Sequence, residues 1–123
     1  MKSLAALLLA CAFTAQAEPW TETQQVLAAT YLTAHTIDWA QTRNAASSTT
    51  GGKHGTGYYE KNPVLGRKPT SGKTNAYFIL TPLIGYFVLD ALPEYRTGIL
   101  AVANVLEIGV VAHNYRIGVK ASW

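Results

Sequence analysis

The 123 residues are 49% hydrophobic and only 14% charged, against roughly 25% charged in an ordinary soluble domain. That length holds one domain, and a single cysteine excludes a disulfide-stapled module. Ten Lys and Arg against seven Asp and Glu give +3, too mild for a nucleic-acid binder without a clustered patch, and the apolar content excludes a disordered acidic tail.

The chain opens on a targeting pattern. Met1-Lys2-Ser3 is a short basic start, Leu4 to Phe13 an apolar run, and Ala15-Gln16-Ala17 a small-x-small site before Glu18. As helix the run reaches about 15 Å, half of a ~30 Å hydrocarbon core, so it suits a secretory leader cut between Ala17 and Glu18 better than a retained span. Leu8-Leu9-Ala10-Cys11 offers a rival cut of lipoprotein type before Cys11, with a leucine at an unusual place for that box; that cut implies a lipoprotein anchored at Cys11 whose helices pack as a small periplasmic domain. A cut after Ala17 removes Cys11, and with it thiol catalysis and thiolate metal ligands.

Trp20 to about Thr42 has almost no helix breaker and is predicted as a helix, with Thr21 as N-cap and Glu22 in the first turn. Arg43 to about Asn75 is rich in Ser, Gly and Lys with two prolines, the composition of a long basic loop. Ala76 to Leu92 is densely apolar, Pro93-Glu94-Tyr95-Arg96 is a tight connection, and a second apolar stretch runs from Thr97 to about Ile117. There is no internal repeat.

Seventeen residues of helix reach about 25 Å, near the lower limit for crossing a bilayer. Pro82 and Gly85 in one stretch, and Gly98 and Gly109 in the other, are better tolerated in membrane helices than in soluble ones. A soluble fold would have to bury two helices apolar all round beneath one short third helix. The expected fold class is therefore all-α: a small transmembrane bundle, one domain over 18–123, with helices at about 20–42, 76–92 and 97–117 and the basic loop at 43–75. Six Lys and Arg in that loop against Glu60, and Arg116 and Lys120 in the tail, face acids at Glu18 and Glu22 and at Asp90 and Glu94. The positive-inside rule then puts loop and C-terminus in the cytoplasm of a bacterial inner-membrane protein, with the mature N-terminus periplasmic. The first helix is too polar to insert alone and must turn its polar stripe against the other two.

Tyr31, His35, Asp38 and Thr42 share one face of that helix, and Asn104, Glu107, Val111 and Asn114 share a face of the third. A carboxylate at mid-bilayer costs ~2.5–3.5 kcal/mol on insertion scales, so Asp38 and Glu107 need partners. His35, Thr42, Asn104, His113 and the basic loop residues are the available ones. Two readings follow: interhelical hydrogen bonding that acts as glue, or a proton relay, small-ligand site or metal held by His and carboxylate, as in a membrane-embedded enzyme or transport element using Asp38, Glu60, Glu107 and His35. No His-x-x-x-His pair exists, so no metal or cofactor is expected. Gly66-Arg67-Lys68-Pro69-Thr70-Ser71-Gly72-Lys73-Thr74 imitates a phosphate loop but has five residues between the glycines instead of four. A Gly-x-Ser-x-Gly elbow is also absent, so the residues favour a non-enzymatic role. The expected partners are the lipid bilayer and another membrane protein, with no nucleic acid.

Asp38-Trp39-Ala40-Gln41-Thr42, followed after a Gly-rich gap by Tyr58-Tyr59-Glu60-Lys61-Asn62-Pro63-Val64-Leu65-Gly66, resembles small membrane proteins of bacteria and their phages. These carry Asp-x-x-x-Thr late in one helix and Glu-x-Asn-Pro at the start of the next element. The resemblance covers mainly residues 35 to 66 and implies a compact helical membrane bundle with no assigned activity; phage-related modification of the host envelope fits by analogy alone. The leader and the Ser/Gly insertion at 46–57 depart from the pattern. Read directly, Asn62-Pro63 ends a helix and offers an Asx-type cap. Asp38, Thr42, Glu60 and Asn62 are expected to converge at the cytoplasmic end, either to fix a turn or to cradle a ligand.

Overall fold

Thr21 and Gln24 close the first turn of the first helix reciprocally. The Thr21 hydroxyl accepts the Gln24 N–H at 3.2 Å, and the Gln24 side-chain oxygen accepts the Thr21 N–H at 3.1 Å, the two halves of a capping box. The helix so started, α1, runs Glu22–Ser48. In this computed structural model the described residues are 18–48, 62–66, 69–121 and 123, and there is no strand among them. The expected leader over 1–17, the rival cut at Cys11 and Ala17 itself lie outside the described residues.

The basic loop expected over 43–75 is shorter at both ends. α1 continues past Thr42 to Ser48 because Arg43-Asn44-Ala45 is compatible with helix and Ala45, 3% exposed, is packed against the rest of the molecule. α2 (Ser71–Ala91) begins before Ala76 because Thr70 caps it, its hydroxyl accepting the Lys73 N–H at 3.2 Å. The phosphate-loop imitation thus ends in the first turn of α2, where Thr74 is fully buried. Between the helices, Asn62 Oδ1 accepts the Val64 N–H at 2.9 Å, and the chain turns through Gly66 at φ 79° with Leu65 buried. This is the Asx turn expected of Asn-Pro.

A 3-10 turn, Pro93–Tyr95, leads directly into α3 (Arg96–Arg116). α3 stops in a Schellman arrangement: Val119 N–H bonds the Asn114 carbonyl, Gly118 N–H bonds the Tyr115 carbonyl, and Gly118 takes φ 89°, a conformation that favours glycine. α1 is paired with α3 along its length and with α2 to a lesser extent. Contacts at Gln24–Thr97, His35–Glu107 and Asn44–Lys120 show that α1 and α3 run parallel. Trp20–Tyr86 and Trp39–Asn75 show α2 antiparallel to both.

The burial pattern is inverted relative to a water-soluble domain. Gln24, His35, Gln41, Thr42, Thr74, Arg96, Asn104 and Asn114 are buried, while Leu83, Ile84, Phe87, Val102, Val105 and Leu106 are exposed. Among the described residues, exposed charges stand only at the two ends. Glu18, Glu22 and Glu94 ring one end, and Arg43, Lys73, Arg116 and Lys120 the other. Between Glu22 and Arg43 lie twenty residues of α1 with no exposed charge, a height of about 30 Å. On α2 and α3 the acidic and basic side chains inside the same belt are Asp90, Arg96 and Glu107, all turned inward, with His113 one turn from the basic rim. One described helix, Pro93–Arg116, is long and apolar enough to cross a membrane. α2 is diluted by Thr74, Asn75, Thr81, Pro82 and Gly85.

The outward face of α1 is less polar than its residue types suggest. The hydroxyls of Thr30, Thr33 and Thr36 donate to the carbonyls of Val26, Ala29 and Leu32 at 2.9, 2.8 and 2.7 Å. Each donor is thereby satisfied within its own helix and the methyl group is left outermost. Gln24, His35, Asp38 and Gln41 point the other way.

Candidate functional site

The inward polar residues form a seam of successive hydrogen-bonded clusters between α1 and α3. At the acidic end the Gln24 amide donates to Thr97 Oγ1 at 3.1 Å. Next, the Asn104 amide donates to the carbonyls of Leu27 and Leu100, both at 2.8 Å. His35 and Glu107 follow, then Asn114, whose amide donates to Asp38 Oδ1 at 3.0 Å and Gln41 Oε1 at 3.1 Å. Gln41 passes the chain on to the Val111 carbonyl at 3.3 Å, and Asn44 donates to the Lys120 carbonyl at 2.8 Å at the basic end.

His35 sits midway along α1, 5% exposed, and joins all three helices. Its Nε2 lies 3.1 Å from the Phe78 carbonyl of α2 and its Nδ1 2.7 Å from Glu107 Oε1 of α3. The Phe78 carbonyl is available for a local reason: its helical donor would be the N–H of residue 82, and residue 82 is proline. A carbonyl only accepts, so Nε2 carries a proton. At 2.7 Å the Nδ1···Oε1 contact also needs a proton between the two atoms. Imidazolium with carboxylate, or neutral imidazole with carboxylic acid, satisfies both bonds, and the pair is neutral overall in either form. The Tyr31 ring stacks on His35 with its hydroxyl 3.5 Å from Nδ1, and the Phe78 ring lies 4.8 Å away on centroids.

Arg96 organises the acidic end and is 1% exposed. Its Nε donates to the Leu89 carbonyl at 3.0 Å, and its Nη1 to the Glu18 carbonyl at 3.2 Å and to Gln24 Oε1 at 3.3 Å. Asp90 Oδ1 stands 3.9 Å from Nη2, and the guanidinium lies 4.7 Å over the Trp20 ring, which stacks in turn on Tyr86. One side chain thus ties the segment at Glu18–Trp20, the start of α1, the end of α2 and the start of α3.

The structure brings His35 and Glu107 into direct contact and places Asp38 against Asn114. Asn104 lies in the same seam but serves backbone carbonyls. Thr42 is buried, and Asn62 and Pro63 form the turn described above. Glu60 lies outside the described residues, and so does the expected convergence of Asp38, Thr42, Glu60 and Asn62 as a whole. Reading the sequence missed the burial of Arg96, the bridging by Gln24 and Gln41, and the Pro82–Phe78–His35 relation. Only the last carried a local signal, a proline four residues after the carbonyl that it frees.

Among the described residues no group of three or more His, Cys, Asp or Glu is placed to hold a metal ion. An open apolar groove of about 540 Å³ between α1 and α3 is lined by Ala29, Thr30, Thr33, Ile37 and Ile108 among others. It offers shape without free hydroxyl donors, because both threonines bond their own helix. No protein-family model, curated protein or solved structure matches this chain.

Proposed function

We propose that this chain is a small integral membrane protein whose three helices cross the bilayer, with the acidic rim and mature N-terminus periplasmic and the basic rim cytoplasmic. It acts through contacts within the membrane and not by catalysis. The observation that carries this reading is the belt, about 30 Å high, that exposes apolar side chains and no charge between an acidic and a basic rim. Lipid is the solvent in which this burial pattern is favourable. In water, Val105 at 72% exposed and Leu106 at 64% would stand in the open while amides filled the interior. Within lipid the seam hydrogen-bonds α1 to its neighbours, and the threonines of its outer face present methyl groups. The resemblance to small bacterial and phage membrane proteins agrees with this reading, and envelope modification through a membrane partner is the role that it suggests.

Carbonate washing tests the embedding. The chain should stay with the membrane fraction and need detergent to disperse; recovery in the aqueous wash overturns the reading. Reporter fusions at Gly52 and Trp123 should both report the cytoplasm.

The buried 2.7 Å contact between His35 Nδ1 and Glu107 Oε1 favours a second reading, a proton-conducting element centred on that pair. Proteoliposomes holding the protein and a trapped pH dye should then dissipate a pH gradient faster than empty vesicles, and Glu107→Gln should abolish the difference. Vesicles as tight as empty ones leave the seam as glue.

A further inference from the structure

We propose that the His35–Glu107 pair is a proton-binding site whose occupancy latches α2 to α1 through the carbonyl that Pro82 leaves free. The inference goes beyond membrane embedding and rests on the hydrogen-bond geometry alone. His35 faces two acceptors, the Phe78 carbonyl at 3.1 Å and Glu107 Oε1 at 2.7 Å. With the bridging proton present, both bonds are made. When that proton leaves to a base in the surroundings, a neutral imidazole and a carboxylate remain, and the imidazole holds one N–H for two acceptors. A hydrogen bond to a carboxylate is roughly twice as strong as one to a neutral carbonyl. The remaining proton therefore moves from Nε2 to Nδ1, the Glu107 bond is kept and the Phe78 bond is lost. No donor within α2 replaces it, because position 82 has no N–H. One proton thus decides whether the centre of the molecule ties three helices or two.

The titratable groups around the pair are few. Tyr31 stacks on the ring from α1 with its hydroxyl 3.5 Å from Nδ1, a donor that competes for that nitrogen, so the titration is run in Tyr31→Phe as well. Asp38, one turn further along, is held by Asn114 of α3. Tyr77 of α2 lies edge-on to Phe78. On α3, His113 is exposed towards the basic rim. None of these stands between His35 Nε2 and the Phe78 carbonyl, which are in direct contact at 3.1 Å.

The test is nitrogen and carbonyl NMR of the full chain across pH, in lipid nanodiscs and in detergent micelles, with His54→Gln and His113→Gln leaving His35 as the sole imidazole. Loss of the proton should move the protonated ring nitrogen from Nε2 to Nδ1 and shift the Phe78 carbonyl to its unbonded position in the same step. In Glu107→Gln the amide N–H donates to Nδ1 and cannot leave, so Nε2–H should persist at every pH. In Pro82→Ala the restored N–H bonds the Phe78 carbonyl at every pH, so its signal should stay in the bonded range and no longer reach the parent's unbonded position. An Nε2–H that survives proton loss in the parent chain overturns the latch. So does a Phe78 carbonyl in Pro82→Ala that follows pH as the parent does. Failure to enter nanodiscs counts against the membrane reading alone, since the tautomer is read equally in micelles.

Discussion

At the scale of single residues, Asn114 and Arg96 show how a polar interior is kept affordable. Asn114 supplies one amide group to two oxygens, on Asp38 and Gln41. Asn114→Ala should lower stability in detergent unfolding by about 1–3 kcal/mol, the usual penalty for stripping a partner from buried polar groups. Asn114→Asp should be worse, because it sets a carboxylate beside Asp38. Arg96→Leu removes the donor from three oxygens and leaves Asp90 with its cation gone. Its expected loss is about 3–5 kcal/mol, with Trp20 fluorescence shifting as the ring loses its guanidinium neighbour. Arg96→Lys should recover only part of this, since one ammonium cannot reproduce the fork. Nothing local in Pro93-Glu94-Tyr95-Arg96 marks the arginine as buried; its partners lie up to 78 positions away. The facing stripes on α1 and α3 were legible because helical spacing displays them, and the partner chosen within a stripe was not.

At the scale of elements, capping and periodicity carry most of what the sequence discloses. Thr21 stands where the helix signal put it, and Thr21→Ala should reduce stability by about 1 kcal/mol in the same unfolding measurement. The ends of the basic loop were misread for one physical reason: Ser, Gly and Asn are weak formers in isolation, yet burial of Ala45 and the Thr70 cap extend helix into that composition. The threonines of α1 offer a complementary check. Their hydroxyls bond the backbone of their own helix, so Thr33→Val should change stability by less than about 0.5 kcal/mol and leave membrane yield intact. A large loss on that substitution would mean that the hydroxyl has an external partner.

At the scale of the whole molecule, the distribution of exposed side chains separates lipid from water more sharply than any one helix does. Val105 lies near the middle of α3 and packs against little. Val105→Asp should impair membrane insertion by about 2.5–3.5 kcal/mol, read as the inserted fraction in a translocon assay. On a protein surface in water the same change would register within about 0.5 kcal/mol.

The ties between α1 and α3 recur at successive heights, from Gln24–Thr97 to Asn44–Lys120, and the His35–Glu107 and Asn114–Asp38 pairs among them are specific to their side chains. Such a pair is keyed like a toothed rack: sliding one helix past the other by a single turn would misalign every tooth at once. Piston motion must therefore break the His35–Glu107 and Asn114–Asp38 pairs together, which makes α1 with α3 the more firmly held pair. α2 is held to that pair more sparsely, by an indole stack and the Arg96 guanidinium at one end, an indole–amide bond at the other and one imidazole between. Any signal that this protein relays through its own shape must travel as a swing of that one rod.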